Sequence, residues 1–265
     1  MNRDSFSLGR AALNFLFAGK PQLTREDNLK FYDTVTRQGV DLPQFSQSET
    51  TVQLARQGSG NPPSSLLVEV GHDQGRFRFL FAEERPSTRS LELIGKDADI
   101  AWDSFCEVWP SERVGGNPVL VEVRLTTTAV AKGGDATGFL KDSCFHMNPA
   151  ALEKLERQPH GLGVKIMLPV QIPSDQSANI PLMGAGSTIL VETLLDDPTR
   201  LYLEAQFSWP SVPIPQEIRQ RMGGGPERTN PELRRPSEYL LESDEYMKTQ
   251  LTDFLLASAE VADSG

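Results

Sequence analysis

The sequence predicts an α+β protein built from two pseudo-repeats, each ordered strand, helix, antiparallel strands, helix. Three observations carry this expectation. A hairpin-like stretch occurs twice at nearly constant spacing. Each copy is preceded by an apolar run and a capped helical segment, and each is followed by a stretch with helical apolar period.

The first hairpin reads Ser65-Leu66-Leu67-Val68-Glu69-Val70, a turn at Asp73, then Arg76-Phe77-Arg78-Phe79-Leu80-Phe81-Ala82, and closes at Pro86. The second reads Ile189-Leu190-Val191-Glu192-Thr193, a turn at Asp196-Asp197-Pro198, then Arg200-Leu201-Tyr202-Leu203-Glu204-Ala205, and closes at Pro210. Arg76 and Arg200 are 124 positions apart, as are Pro86 and Pro210. Runs rich in β-formers around Asp, Gly and Pro punctuation are what a hairpin requires.

Ahead of the first hairpin lies the apolar run 8–17. A helix follows, begun by Thr24 with Asp27 three residues on, a capping box with Asp in place of Glu. Leu29, Tyr32 and Val35 are its expected buried face. Ahead of the second hairpin lie the run 119–125 and a helix capped by Asn148 with Pro149 in its first turn, burying Leu152 and Leu155. The first unit ends in a stripe of Ala98, Ala101, Trp102, Phe105, Val108 and Trp109. The second is expected to end in a helix capped by Ser243, with Met247, Leu251, Phe254 and Leu255 as its stripe.

The boundary falls at Gly115-Gly116-Asn117-Pro118, giving halves 1–117 and 118–265. The first carries 13 basic and 16 acidic side chains, net −3; the second carries 13 and 20, net −7. A Pro-, Gly- and Arg-rich insertion, 211–236, separates the last hairpin of the second half from its last helix.

This order resembles the helix-grip and TATA-binding-protein-like folds, the latter a tandem duplication. In size and layout the chain also resembles a sporadically distributed group of uncharacterised bacterial proteins built as two such halves. The resemblance covers nearly the whole chain by element order alone. It implies a fold and no catalytic residue.

Composition narrows the function. A net charge of −10 argues against direct nucleic-acid binding, which depends on Lys and Arg displacing counterions. No apolar run is long enough to span a bilayer, and the opening MNRDSFSLGR has no signal-peptide pattern, so a cytoplasmic location is expected. Two cysteines, Cys106 and Cys144, are too few for a disulfide scaffold or a structural zinc cluster. Cys144 and His146 stand two apart, with Asp142 and His160 nearby, but the spacing matches neither a metal motif nor a nucleophilic pair. His72 falls in a hairpin turn. Gly223-Gly224-Gly225 and Gly184-Ala185-Gly186 lack the setting of a phosphate loop. The acid pairs Glu83-Glu84, Asp196-Asp197 and Asp244-Glu245 read as surface charges and caps. No catalytic residue, metal or cofactor is expected.

The reading that remains is a non-catalytic adaptor or regulatory subunit that binds another protein. Its expected contacts are Arg219, Arg221, Arg228, Arg234 and Arg235 of the insertion, with Glu242, Asp244 and Glu245 of the acidic final helix. The insertion composition also fits a plain solvated loop. Two alternatives follow from other features. Phe79, Phe81, Trp102 and Phe105 would line an apolar cavity in a small-molecule carrier or sensor, and the net acidity would suit an inhibitor of a nucleic-acid-binding protein.

Overall fold

The computed structural model describes residues 5–58, 64–72, 75–83, 90–116, 118–155, 159–168, 186–208 and 234–260. Its centre is one nine-stranded antiparallel sheet. In chain order the strands are β1 (Ser7–Leu16), β2 (Gln44–Gln47), β3 (Thr51–Gln57), β4 (Ser64–Gly71), β5 (Arg76–Glu83), β6 (Val119–Val130), β7 (Gly163–Leu168), β8 (Gly186–Thr193) and β9 (Arg200–Ser208). In space they run β2-β3-β4-β5-β1-β6-β9-β8-β7. Both expected hairpins are present, with Glu69 opposite Arg78 in one and Glu192 opposite Tyr202 in the other.

The helices are α1 (Arg25–Arg37), α2 (Leu91–Val108), the short turns α3 (Ala136–Gly138) and α4 (Pro149–Glu153), α5 (Pro236–Tyr246) and α6 (Thr252–Glu260). A wide π-type turn at Met247–Leu251 joins α5 to α6. Thr24 caps α1 as expected: its Oγ1 accepts from the Asp27 amide at 3.1 Å and donates to the Asp27 carboxylate at 2.8 Å. Arg113, beyond the end of α2, grips the same carboxylate at 2.7 Å and ties the two helices together. That grip holds the Asp27 carboxyl below the usual carboxylate range.

Period two divides every strand between two faces. On one, Phe15 stacks on Trp102 at 4.4 Å, Phe17 on Phe105 at 4.8 Å, and Phe77 meets Trp102 at 5.2 Å. Among the β5 aromatics the ring contacts with Trp102 and Phe105 are made by Phe77, while Phe79 and Phe81 are buried further along the strand. Trp109 extends the stack to Phe31 of α1 and donates its indole N–H to the Gln22 carbonyl at 2.9 Å. In the second half the same layer is mainly aliphatic, built from Leu125, Val191, Leu203, Leu240, Leu251 and Leu255.

Several local expectations need correction. The last helix begins at Pro236, where a proline suits the first turn, so Ser243 lies inside it. Fully buried, Ser243 donates to the Tyr239 carbonyl at 2.7 Å. In the final stripe Met247, Leu251 and Leu255 are buried at a spacing of four, whereas Phe254 is exposed, because the π-type turn resets the helical phase. On α1 the buried face is Asn28, Phe31, Thr34 and Val35, with Leu29 exposed. α4 stops at Glu153, which leaves Leu155 beyond it and exposed.

The two long helices meet where α5 starts. The α5 N-cap position, Arg235, supplies no side-chain cap, and Asp99 of α2 serves instead. Its carboxylate accepts from the Ser237 amide at 2.9 Å and from the Ser237 hydroxyl at 2.7 Å. Gly95, one turn earlier, permits the approach, since a Cβ there would lie 3.0 Å from the Ser237 Cβ. Asp99→Ala is expected to cost about 1–2 kcal/mol, the usual loss for a helix cap, read as a lower urea midpoint with an unchanged slope. A second expectation concerns pH. Because the Asp27 carboxyl is depressed in the folded protein, its contribution is present above pH ~4 and is lost as pH falls through the depressed value. Wild type should therefore lose more stability between pH 5 and pH 3 (both about) than Asp27→Asn does, measured by urea titration at each pH.

Candidate functional site

Among the described residues the second face of the sheet carries no helix, and it displays the chemistry. Across its centre the register places Asn14 between Arg78 and Glu122, and Ala12 between Leu80 and Arg124. Thr126 stands opposite Glu204, and Thr128 opposite Tyr202. Five arginines lie on this face: Arg10 on β1, Arg76 and Arg78 on β5, Arg124 on β6 and Arg200 on β9. Four glutamates accompany them: Glu69, Glu122, Glu192 and Glu204.

Most of these charges are already engaged. Glu69 is buried; one oxygen accepts from Arg76 at 2.6 Å and the other from Gln53 at 2.8 Å. Glu204 is also buried, with both oxygens 2.8 Å from the Arg124 guanidinium and the Tyr202 hydroxyl donating at 2.9 Å. Burial, reinforced by Glu204, pushes the Tyr202 phenol up to about 12, so it stays a donor at neutral pH. Asn14 donates to Glu122 at 3.4 Å. Arg200 donates to the Thr128 and Ser7 hydroxyls and to the Ser5 carbonyl, pinning β9 across β6 to the start of β1.

Arg10 and Arg78 differ. Neither makes a hydrogen bond or ion pair among the described residues, although Arg78 stands opposite Glu69. Glu69 is held instead by Arg76 and Gln53. The Nε atoms of Arg10, Arg76, Arg78 and Arg124, with Oδ1 of Asn14, are buried without a partner. Buried polar atoms left unpaired are costly, and these four donors and one acceptor fall on three neighbouring strands. Between Arg10 and Arg78 runs an apolar row across four strands, Ala55, Leu67, Leu80 and Ala12.

The residues singled out by sequence fall elsewhere. Arg219, Arg221 and Arg228 lie outside the described residues. Arg234 pairs with Glu242 and sits over the Tyr239 ring at 4.8 Å. Arg235 reaches Asp103 at 3.1 Å and Asp99 at 3.6 Å, so its charge is spent on the α2–α5 junction. Asp244 pairs with Lys248 at 2.6 Å, and Glu245 is exposed. Trp102 and Phe105 belong to the ring stack of the core, with Phe79 and Phe81 buried beneath the same helix layer. His72 Nδ1 lies 2.6 Å from the Pro21 carbonyl, an ordered position in place of a free turn residue.

Cys144 and His146 point to different partners. The thiol donates to the Leu255 carbonyl at 3.5 Å, and His146 Nδ1 faces the Asp142 carbonyl at 2.9 Å. Among the described residues no three His, Cys, Asp or Glu side chains gather as a metal set. Burial pushes the Cys144 thiol up to about 11, whereas Cys106 is exposed. At pH 8 the thiolate fraction of Cys144 should be on the order of 10⁻³, against roughly a quarter for an ordinary cysteine. Cys144 should therefore label with a disulfide reagent at least tenfold more slowly in native protein than in urea, followed by thiolate absorbance. The sequence matches no protein-family model and no curated protein.

Proposed function

We propose that the chain is a non-catalytic adaptor that binds another protein, assembled from two related halves, 1–117 and 118–265. The observation that carries this reading is the unequal treatment of the two sheet faces. One face is sealed by helices and an aromatic core. The other displays charged and polar side chains locked mainly to one another in a broad platform. A rigid platform of that kind suits surface recognition.

The duplication draws support from strand order. Outward from the central pair, the order is β1-β5-β4-β3-β2 on one side and β6-β9-β8-β7 on the other, so the first side carries one extra edge strand. In each half the first strand lies beside the last strand of its own hairpin, as expected of helix-grip or TATA-binding-protein-like units. Arginine residues 219, 221 and 228 remain the contact candidates of the insertion, because Arg234 and Arg235 are engaged within the fold.

The test is affinity capture of the tagged chain from its native host at ~0.15 M salt, with mass spectrometry of bound proteins and small molecules. A stoichiometric protein partner is expected, retained by wild type and weakened several-fold by Arg219→Glu/Arg221→Glu/Arg228→Glu at an unchanged Tm. A chain that emerges alone with a bound metabolite would overturn the adaptor reading and favour a carrier.

A further inference from the structure

Among the described residues, the open face of the sheet carries two arginines that no anion holds. We infer that this face is a docking surface for an extended acidic peptide segment, in which two carboxylates four residues apart flank an apolar residue.

The argument is one of charge and spacing. Glu69 and Glu204, the buried carboxylates of the face, already hold Arg76, Gln53, Arg124 and Tyr202. Among the described residues Arg10 and Arg78 are left without a carboxylate, in a chain whose net charge is −10. An arginine fork so placed is a bidentate site for an incoming carboxylate. In the β1–β5 register Arg10 faces Ala82, Ala12 faces Leu80 and Asn14 faces Arg78. The two guanidiniums therefore root four residues apart along the strand direction, about 13 Å. An extended peptide repeats its facing side chains every second residue. Acids at its first and fifth positions would meet Arg10 and Arg78, and the third would lie on Ala12 and Leu80, where the apolar row crosses.

The same charges favour peptide over nucleic acid. Five arginines are interleaved with four glutamates, so a polyanion would lay phosphates against Glu69, Glu122 and Glu204 as well as against the two unpaired arginines. Two spaced carboxylates need touch only the latter.

This inference rests on the adaptor reading only in taking the ligand to be protein, and its test is separate. The full chain, immobilised, is panned against displayed random twelve-residue peptides, and enriched peptides are titrated by fluorescence anisotropy. The expected result is enrichment of peptides with acids at positions i and i+4 and an apolar residue at i+2. Affinity should fall about tenfold or more for Arg10→Gln/Arg78→Gln, the loss of charge-assisted hydrogen bonds, and again when the acids are moved to i and i+3. Arg200→Gln, which alters an engaged arginine of the same face, should leave affinity within about twofold. If the double variant does not fold, the single Arg78→Gln serves, with about half the effect on a logarithmic scale. No enrichment, enrichment without acids, equal binding by the variants, or tighter binding of a twelve-nucleotide single strand would each overturn the inference. A host partner retained by Arg10→Gln/Arg78→Gln would keep the adaptor reading and move its interface elsewhere. Peptide binding without a host partner would do the reverse.

Discussion

The pairing of β1 with β6 is the constraint on which the rest of the architecture depends. These strands start the two proposed halves, and they join antiparallel at the centre, from Ser7 opposite Thr128 to Leu16 opposite Val119. Ala11, Leu13, Phe15, Val123 and Leu125 are fully buried along this seam. Because the seam is internal, both halves lose an open strand edge at once, and the remaining edges fall at β2 and β7, far apart. A slip of one residue at the seam would turn either Leu13 and Phe15 out of the core or Arg124 into it. The irregularities at Leu8/Arg10 and Asn14/Phe15 lie at either side of the stretch that must hold register.

From that seam the two faces follow different rules. The helix face is filled by large side chains, and the α2–α5 contact closes over it through Asp99 and Ser237, a polar clasp between the final helices of the two halves. Among the described residues the other face has no covering layer, yet Glu69 and Glu204 are buried there. Long arginine side chains lie along the sheet and cover the carboxylates they pair with, their stems shielding what their heads neutralise. A buried carboxylate is tolerated only when paired and hydrogen-bonded, and both meet that condition twice over.

Much of this was legible in the sequence. The two hairpins, the Thr24 cap and the apolar stripe of α2 rest on local rules of period and capping, and tertiary packing did not override them. Strands β2, β3 and β7 escaped placement, although Thr51-Val52-Gln53-Leu54 alternates cleanly enough to have marked β3. The start of α5 was missed because its cap comes from Asp99, 138 positions away, and no local pattern reports a partner so distant. The chemistry of the open face was hidden for the same reason. Arg76 and Arg78 were legible as the outward side of β5, but which of them holds Glu69, and that Gln53 joins it, is settled by strand register.

The two sides of the seam thus fill their helix layers with different materials. The first fills its helix layer with stacked rings, which lock a rigid sheet-helix unit. The second uses aliphatic residues and a wide helical turn that rephases its final helix. Rigidity in the first half has a consequence for the open face, because Phe77 is anchored under Trp102 and Phe105, and Arg76 and Arg78 are its immediate neighbours on the same strand. Their backbone positions are fixed by the core on the opposite side. Glu69 is likewise placed by Val68 and Val70, both fully buried. The charge pattern of the open face is therefore set by packing that the charges do not touch, so that Arg78 is held away from a second carboxylate by the same contacts that give Arg76 its own.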